Sequence, residues 1–286
     1  MSNSRKSRKR SALMTGITPM VIIVIIMMMS WAVKTPGKSH DTSSVSTSSS
    51  ASQTVQPSSN GSDPSNQTST DDESLLQSWS SDIAPNYYKV TGKASFPSLT
   101  VKAGDIQYQG LDALGRTGYA YGNLTYAMYE KSAGWRAPFD SDVNGITGWY
   151  YQGKSNNGKA SIMMDNGKTY HGYFYNRSHL IADSLGGASS RRNIITGTRM
   201  QNVGDNSSNP GGMAYTETES RNLFKSNHDA TILYYVKPIY QGNELVPRGT
   251  TIDIKSSDGS IDQHVVVWNY ANGYTIDYNT GTWKKN

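Results

Sequence analysis

Residues 173–221 constrain this chain more tightly than any other stretch. They read YFYNRSHLIADSLGG, then RRNIITGTRMQN, then GGMAYTETESR. The aromatic run Tyr173 to Tyr175 reads as a strand that delivers Asn176-Arg177-Ser178-His179, and the pair Gly186-Gly187 then breaks the chain. A histidine at the end of a strand can offer one ring nitrogen to a water while a backbone carbonyl holds the other. After Gly211-Gly212, residues Met213 to Ser226 have helical composition. On such a helix Glu217 and Arg221, four apart, share a face, whereas Glu219 points elsewhere.

Downstream the period changes to that of sheet. Ala230 to Tyr240 reads as one strand. Thr250 to Lys255 and His264 to Tyr270 read as a pair joined through Ser256 to Gln263 with a turn at Asp258-Gly259, and Val265 to Trp268 is apolar enough to be buried. The expected fold is therefore α+β, with strands flanking a strand-loop-helix insert. Its globular body is expected over residues 74–286, with Leu75, Leu76 and Trp79 as the first core residues.

The N-terminal quarter is of a different kind. Arg5, Lys6, Arg8, Lys9 and Arg10 lie in a basic flank over residues 1–11, followed by an uncharged stretch over 12–33 in which Val21 to Met29 is unbroken apolar. At 1.5 Å per residue that stretch gives roughly 33 Å of helix, enough to cross a bilayer. The basic flank is expected on the cytoplasmic side and everything after Lys34 outside the cell. Two readings stay open: an uncleaved membrane anchor, or a signal peptide cleaved near Ala32, which would release a secreted protein. Residues 34–73 are Ser, Thr, Gln, Pro, Asn and Asp with little to bury, and are expected to form a disordered linker with a reach of about 35 Å.

Charge and cysteine content narrow the chemistry. The formal net charge of +5 equals the charge of the five basic residues in the N-terminal flank, so the exported part is about neutral. Attraction to phosphate must come from local clustering, for which Arg177, Arg191, Arg192 and Arg199 are the candidates. With no cysteine in the chain, disulfides, thiolate metal sites and cysteine nucleophiles are excluded.

Asn176-Arg177-Ser178-His179 resembles the Asp-Arg-Gly-His motif of the ββα-metal (His-Me finger) non-specific endonucleases, with Asn176 in place of the acid and Ser178 in place of the glycine. The wider pattern is similar to the DNA-entry and streptococcal-type secreted DNases of that superfamily, over roughly Ala103 to Trp283. It includes Leu111-Asp112-Ala113-Leu114-Gly115-Arg116 and Thr275-Ile276-Asp277-Tyr278. The long-range spacing also matches: Asn202 follows Asn193 by nine residues, and a Glu-x-x-x-Arg pair follows at Glu217 and Arg221. The resemblance implies a ββα-metal core inserted in a mixed, mainly antiparallel sheet.

It also implies an extracellular, sequence-non-specific hydrolase of DNA, and of RNA as well. His179 would be the general base and Asn202 the direct ligand of one Mg²⁺, with Mn²⁺ able to substitute. Glu217 would act on the metal through water, and Asn193 would either support the site or hold a metal-bound water. Arg177 and Arg221 would grip phosphate, with Arg191 and Arg192 as further substrate contacts, although that pair also reads as a solvated loop. Of the other histidines, His171 and His228 read as structural or exposed, and His264 as core. Two other classes fit parts of the sequence: a surface module that holds nucleic acid or polysaccharide without turnover, and a wall-associated structural protein.

Overall fold

The computed structural model describes residues 71–286, Trp135 and Ser207 excepted. The apolar stretch at 12–33 and the linker over 34–70 lie outside the described residues, and no helix among the described residues is long and apolar enough to cross a membrane.

In chain order the elements that position the site are β1 (Tyr88–Gly92), β2 (Ile106–Tyr108), β3 (Ala120–Thr125), α1 (Tyr126–Ser132), β4 (Lys159–Met163), β5 (Thr169–Tyr173), β6 (Tyr175–His179), β7 (Ile194–Thr198), α2 (Arg199–Val203), α3 (Met213–Ser226), β8 (Thr231–Ile239), β9 (Gly249–Ser256) and β10 (Asp262–Trp268). Six strands form one sheet in the order β1-β10-β9-β8-β3-β2, with every neighbouring pair antiparallel. The expected α+β class holds. The segment from β4 to α3 lies between β3 and β8 in the chain but joins neither of them in the sheet, so it is an insert.

The sheet strands form where alternation dictates. In β8, Ile232, Tyr234 and Val236 are buried while their neighbours are more exposed. The three pack with Ile252 and Ile254 of β9 and Val265 and Val267 of β10 in one core cluster. Leu223 and Phe224 of α3 and Leu180, Ile181 and Leu185 of the insert join them, which fixes the insert to the sheet. Val266 and Trp268 belong to a smaller cluster with Leu76, Ala84 and Ile239. The expected β9–β10 hairpin is present with Lys255 opposite Asp262, its turn tied by Asp258, which accepts from Ser256 Oγ at 2.7 Å and from the Ser260 amide at 3.0 Å.

Three details depart from the sequence reading. The strand expected at Tyr173 to Tyr175 is interrupted at Phe174, which is fully buried and stacks on Trp283 at 4.3 Å; Asn176 to His179 lie within the strand β6 itself. Its partner β7 and the short helix α2 were not expected, although Ile194-Ile195-Thr196 carries the β-branched signal and Thr198-Arg199-Met200-Gln201 has capping-box spacing. Thr198 Oγ1 indeed accepts from the Gln201 amide at 2.9 Å. Finally, Asp72, assigned by sequence to the linker, is buried and bonded to His264 Nε2 at 3.0 Å.

Candidate active site

The hairpin β6–β7 pairs His179 with Ile194 and Tyr175 with Thr198, and α2 then starts at the Thr198 cap. Two strands followed by a helix thus return the chain along β6, so Asn202 meets the residue beside His179. Ser178 Oγ donates to Asn202 Oδ1 at 3.0 Å. The substituted serine of the motif therefore orients the amide oxygen and leaves that oxygen its second lone pair. At Gly212, the residue before α3, φ is +52° and an added Cβ would strike the Gln201 carbonyl. Only glycine allows this approach, which brings the start of α3, and with it Glu217, against α2.

His179, Asn202, Glu217, Asp183 and Arg136 line one pocket of about 420 Å³. His179 is 6% exposed, and its Nε2 is buried with no hydrogen-bond partner among the described residues. Burial, reinforced by the positive charge of Arg136, pulls the imidazole down to about 4. The ring is held by Phe139, stacked at 5.6 Å and 26°. Burial also raises the Glu217 carboxyl, opposed by Arg221 and Arg136. Glu217 rather than Glu219 lines the pocket.

The remaining sequence candidates separate into groove and scaffold. Arg177 stays in play: its guanidinium lies over Trp149 at 4.9 Å and Phe139 at 5.5 Å, donates to Asn144 Oδ1 at 2.9 Å, and lines a second groove that Asn202 shares. Arg221 donates to Ser184 Oγ (3.1 Å) and Thr218 Oγ1 (2.8 Å) and lies 3.5 Å from Glu217, which it positions, while it lines neither pocket itself. Asn193 is fully buried. Its amide donates to the carbonyls of Ile181 and Ala188 and accepts from the Ile181 amide. Of the two roles expected for Asn193, its bonds give it loop support, and it does not line the pocket that holds Asn202.

The arginine cluster seen in sequence does not form one basic surface. Arg191 reaches the Gly115 carbonyl at 2.8 Å, and Arg199 donates to the Gly204 carbonyl at 3.0 Å under Tyr170. Arg191 is therefore neither a solvated loop residue nor a free substrate contact, and only Arg192 of that pair is exposed. The cation the sequence could not place is Arg136, which is exposed and lines both pockets. Together with Phe139 it comes from an irregular loop without periodicity, so no spacing rule could have found either.

The sequence profile of the DNA/RNA non-specific endonucleases matches residues 141–258, the span that contains the whole ββα unit. A deoxyribonuclease of Streptococcus dysgalactiae subsp. equisimilis is 34% identical over 223 residues, covering 69% of this chain and 67% of that protein. The chain belongs to the DNA/RNA non-specific endonuclease family. It is a nuclease, a phosphodiester hydrolase. The nuclease superposes on the structure of Sda1 nuclease with bound zinc ion with a TM-score of 0.67 and 38% identity, over 73% of this chain and all of that one. NucA from Streptococcus agalactiae with magnesium ion bound gives a TM-score of 0.50 at 24% identity over 68% of this chain and 84% of that one, a likeness of fold.

The donor set of the nuclease pocket can be tested against a metal. Among the described residues no three His, Cys, Asp or Glu side chains group to form a cage. What the pocket offers is the oriented Asn202 Oδ1 and the carboxylates of Glu217 and Asp183. An all-oxygen set with so few protein ligands fits a hard divalent cation that keeps most of its hydration, and does not fit a closed tetrahedral site.

Proposed function

We propose that this nuclease is an extracellular, sequence-non-specific endonuclease of DNA and RNA, with His179 as general base and Mg²⁺ as the preferred ion. The observation that carries the reading is the buried, unpartnered Nε2 of His179 in one pocket with Asn202, Glu217 and Arg136. Asn202 would hold the ion directly through Oδ1, and Glu217 through intervening water; Mn²⁺, another hard divalent ion, would substitute. When bound, the ion supplies Lewis-acid stabilisation of charge on the phosphoryl and leaving oxygens.

The chain's own residues do the rest. His179 Nε2 takes a proton from water as the water oxygen bonds to phosphorus and one ester P–O bond breaks; the leaving oxygen takes a proton from solvent. Arg136 and Arg177 face the groove as charge partners for phosphate, and contacts of that kind carry no base information. The apolar stretch behind a basic flank supports export, with either a membrane anchor or cleavage near Ala32.

The purified full-length chain incubated with supercoiled plasmid or with RNA, with Mg²⁺ or with EDTA, tests the reading. Expected is cutting of both nucleic acids that EDTA abolishes and added Mg²⁺ restores. Binding without strand scission would support the surface-module reading instead, and activity indifferent to EDTA would overturn the metal assignment.

A further inference from the structure

Beside the catalytic pocket runs an open groove of about 320 Å³, of which the catalytic reading uses the two arginines and Asn202 and leaves the rest of the wall without a role. Arg136 and Asn202 line both, so the groove is continuous with the pocket where the scissile phosphate would sit. Its rim carries Tyr173, whose side chain is among the large apolar groups left in solvent, at 56% exposure, and whose ring stacks on no other ring among the described residues. Single exposed rings are ordinary on a protein surface; what sets Tyr173 apart is its place on a groove continuous with the catalytic pocket. The backbone beneath it is fixed, since the Tyr173 carbonyl accepts from Tyr170 Oη at 3.0 Å.

Two amides complete the wall. Asn157 uses Oδ1 to accept from the Tyr175 amide at 2.9 Å, which leaves its NH₂ for the groove. Asn176 makes no side-chain hydrogen bond to any described residue. A carboxylate at position 176, as in the motif this sequence resembles, would set a negative charge in a groove meant for phosphate; the amide offers a donor and an acceptor instead.

We propose that this groove is a nucleoside subsite that holds one unpaired base against Tyr173, with Asn157 and Asn176 bonding its edge, so that single-stranded or locally unpaired nucleic acid is the preferred substrate. A base inside a duplex has both faces covered by its neighbours and cannot stack on a side chain. Amides that can donate and accept tolerate every base, so the subsite adds affinity without sequence preference. The assignment rests on the catalytic reading of the adjoining pocket.

The test is a cleavage footprint by the full-length protein in Mg²⁺ on end-labelled single strands, intact or with one abasic nucleotide, under single-hit conditions. For the unaltered protein, the linkage beside the abasic position should be cut about 5- to 150-fold more slowly, the usual worth of one base stacked on an aromatic ring. Tyr173→Ala should cut the intact strand more slowly and show no further drop at the abasic position, while Tyr173→Phe keeps the footprint. On closed duplex Tyr173→Ala should change little.

No footprint for the unaltered protein, the same footprint in Tyr173→Ala, or equal losses on single and double strands would each overturn the subsite. Failure of the catalytic reading has a different signature. In that case His179→Ala would still cut, with or without the footprint.

Discussion

The lowered basicity of His179 has a consequence that rate measurements can follow. An imidazole moved from its ordinary 6.5 to about 4 disfavours its charged form by about 3.4 kcal/mol, and at pH 7 only about one molecule in a thousand carries the extra proton. The free enzyme should then keep its base available throughout the physiological range. Expected is a kcat/KM that is flat from about pH 5 to 8 and falls only as pH drops toward 4, since this ratio reports the free enzyme. A bound phosphodiester brings negative charge beside Arg136 and offsets part of that cation's effect, so the limb in kcat should lie at higher pH than the limb in kcat/KM.

Arg136→Gln should raise the free-enzyme limb, whereas removing a mere phosphate contact would leave it in place. Single-turnover rates at sub-saturating and at saturating DNA measure the two limbs, and a parallel NMR titration follows the His179 ring itself. A limb in kcat/KM near 6.5, or none at all in a folded protein whose His179→Ala variant is equally active, would refute the assignment. Loss of a general base should lower the rate by about 10² to 10⁴. The same shift sets a stability slope. Because the folded value lies below the unfolded one, the native state binds fewer protons between the two, and the contribution is full above 6.5 and lost as pH falls through 4. His179→Ala should therefore flatten the acid side of the urea-midpoint curve.

Three further outcomes separate the roles of neighbouring residues. Asn202→Ala should abolish cleavage or raise the Mg²⁺ concentration for half-maximal rate, whereas Asn193→Ala, which strands buried backbone groups, should cost about 2–4 kcal/mol in urea unfolding and leave the Mg²⁺ requirement of the folded fraction unchanged. Arg177→Ala should weaken DNA binding and make log K against log salt shallower by about one unit, with no rescue by excess Mg²⁺; a rescued variant would move Arg177 to the metal side. His264 is raised to about 10, its buried ring bonded to Asp253 at 2.7 Å and Asp72 at 3.0 Å against the cost of desolvation, so its contribution is full below 6.5 and lost as pH rises through 10. His264→Gln should accordingly lower the urea midpoint at pH 7 much more than at pH 10, and an equal loss at both would show that only packing was removed.

How far the site was legible depends on whether each residue is placed by local or by distant structure. His179, Asn202 and Glu217 were found because a hairpin, a capped turn of helix and a second helix impose fixed separations, and the structure brings all three to one pocket. Those separations say nothing of direction. Asn193 and Asn202 are the same residue type nine positions apart, yet one is fully bonded to backbone and the other half-exposed with its oxygen aimed by Ser178. Phe139 and Asp183 were missed and Arg136 could not be placed, because an irregular loop and a single 3-10 turn carry them and only tertiary packing delivers them. For the same reason two of the four arginines that suggested a basic patch, Arg191 and Arg199, are taken up by backbone contacts.

The two buried histidines show why residue type and burial alone could not assign the chemistry. His179 and His264 are almost equally hidden, at 6% and 7% exposure, and desolvation opposes the charge on each. Their neighbours decide the outcome. His264 lies between two carboxylates that repay its desolvation with interest, so it stays an imidazolium and serves as a fastener between Asp72 and the sheet. His179 has a cation and an aromatic ring beside it and no carboxylate bonded to it among the described residues, so it remains neutral with a free Nε2. A general base needs that second environment: a carboxylate bonded to Nε2 would accept from an N–H there and so hold on that nitrogen a proton where a lone pair is needed to take one from water. Placing a carboxylate against the ring, as in Phe139→Glu, should therefore raise the basicity of His179 and carry the acid limb of cleavage to higher pH with it, a coupling that a purely structural histidine would not produce.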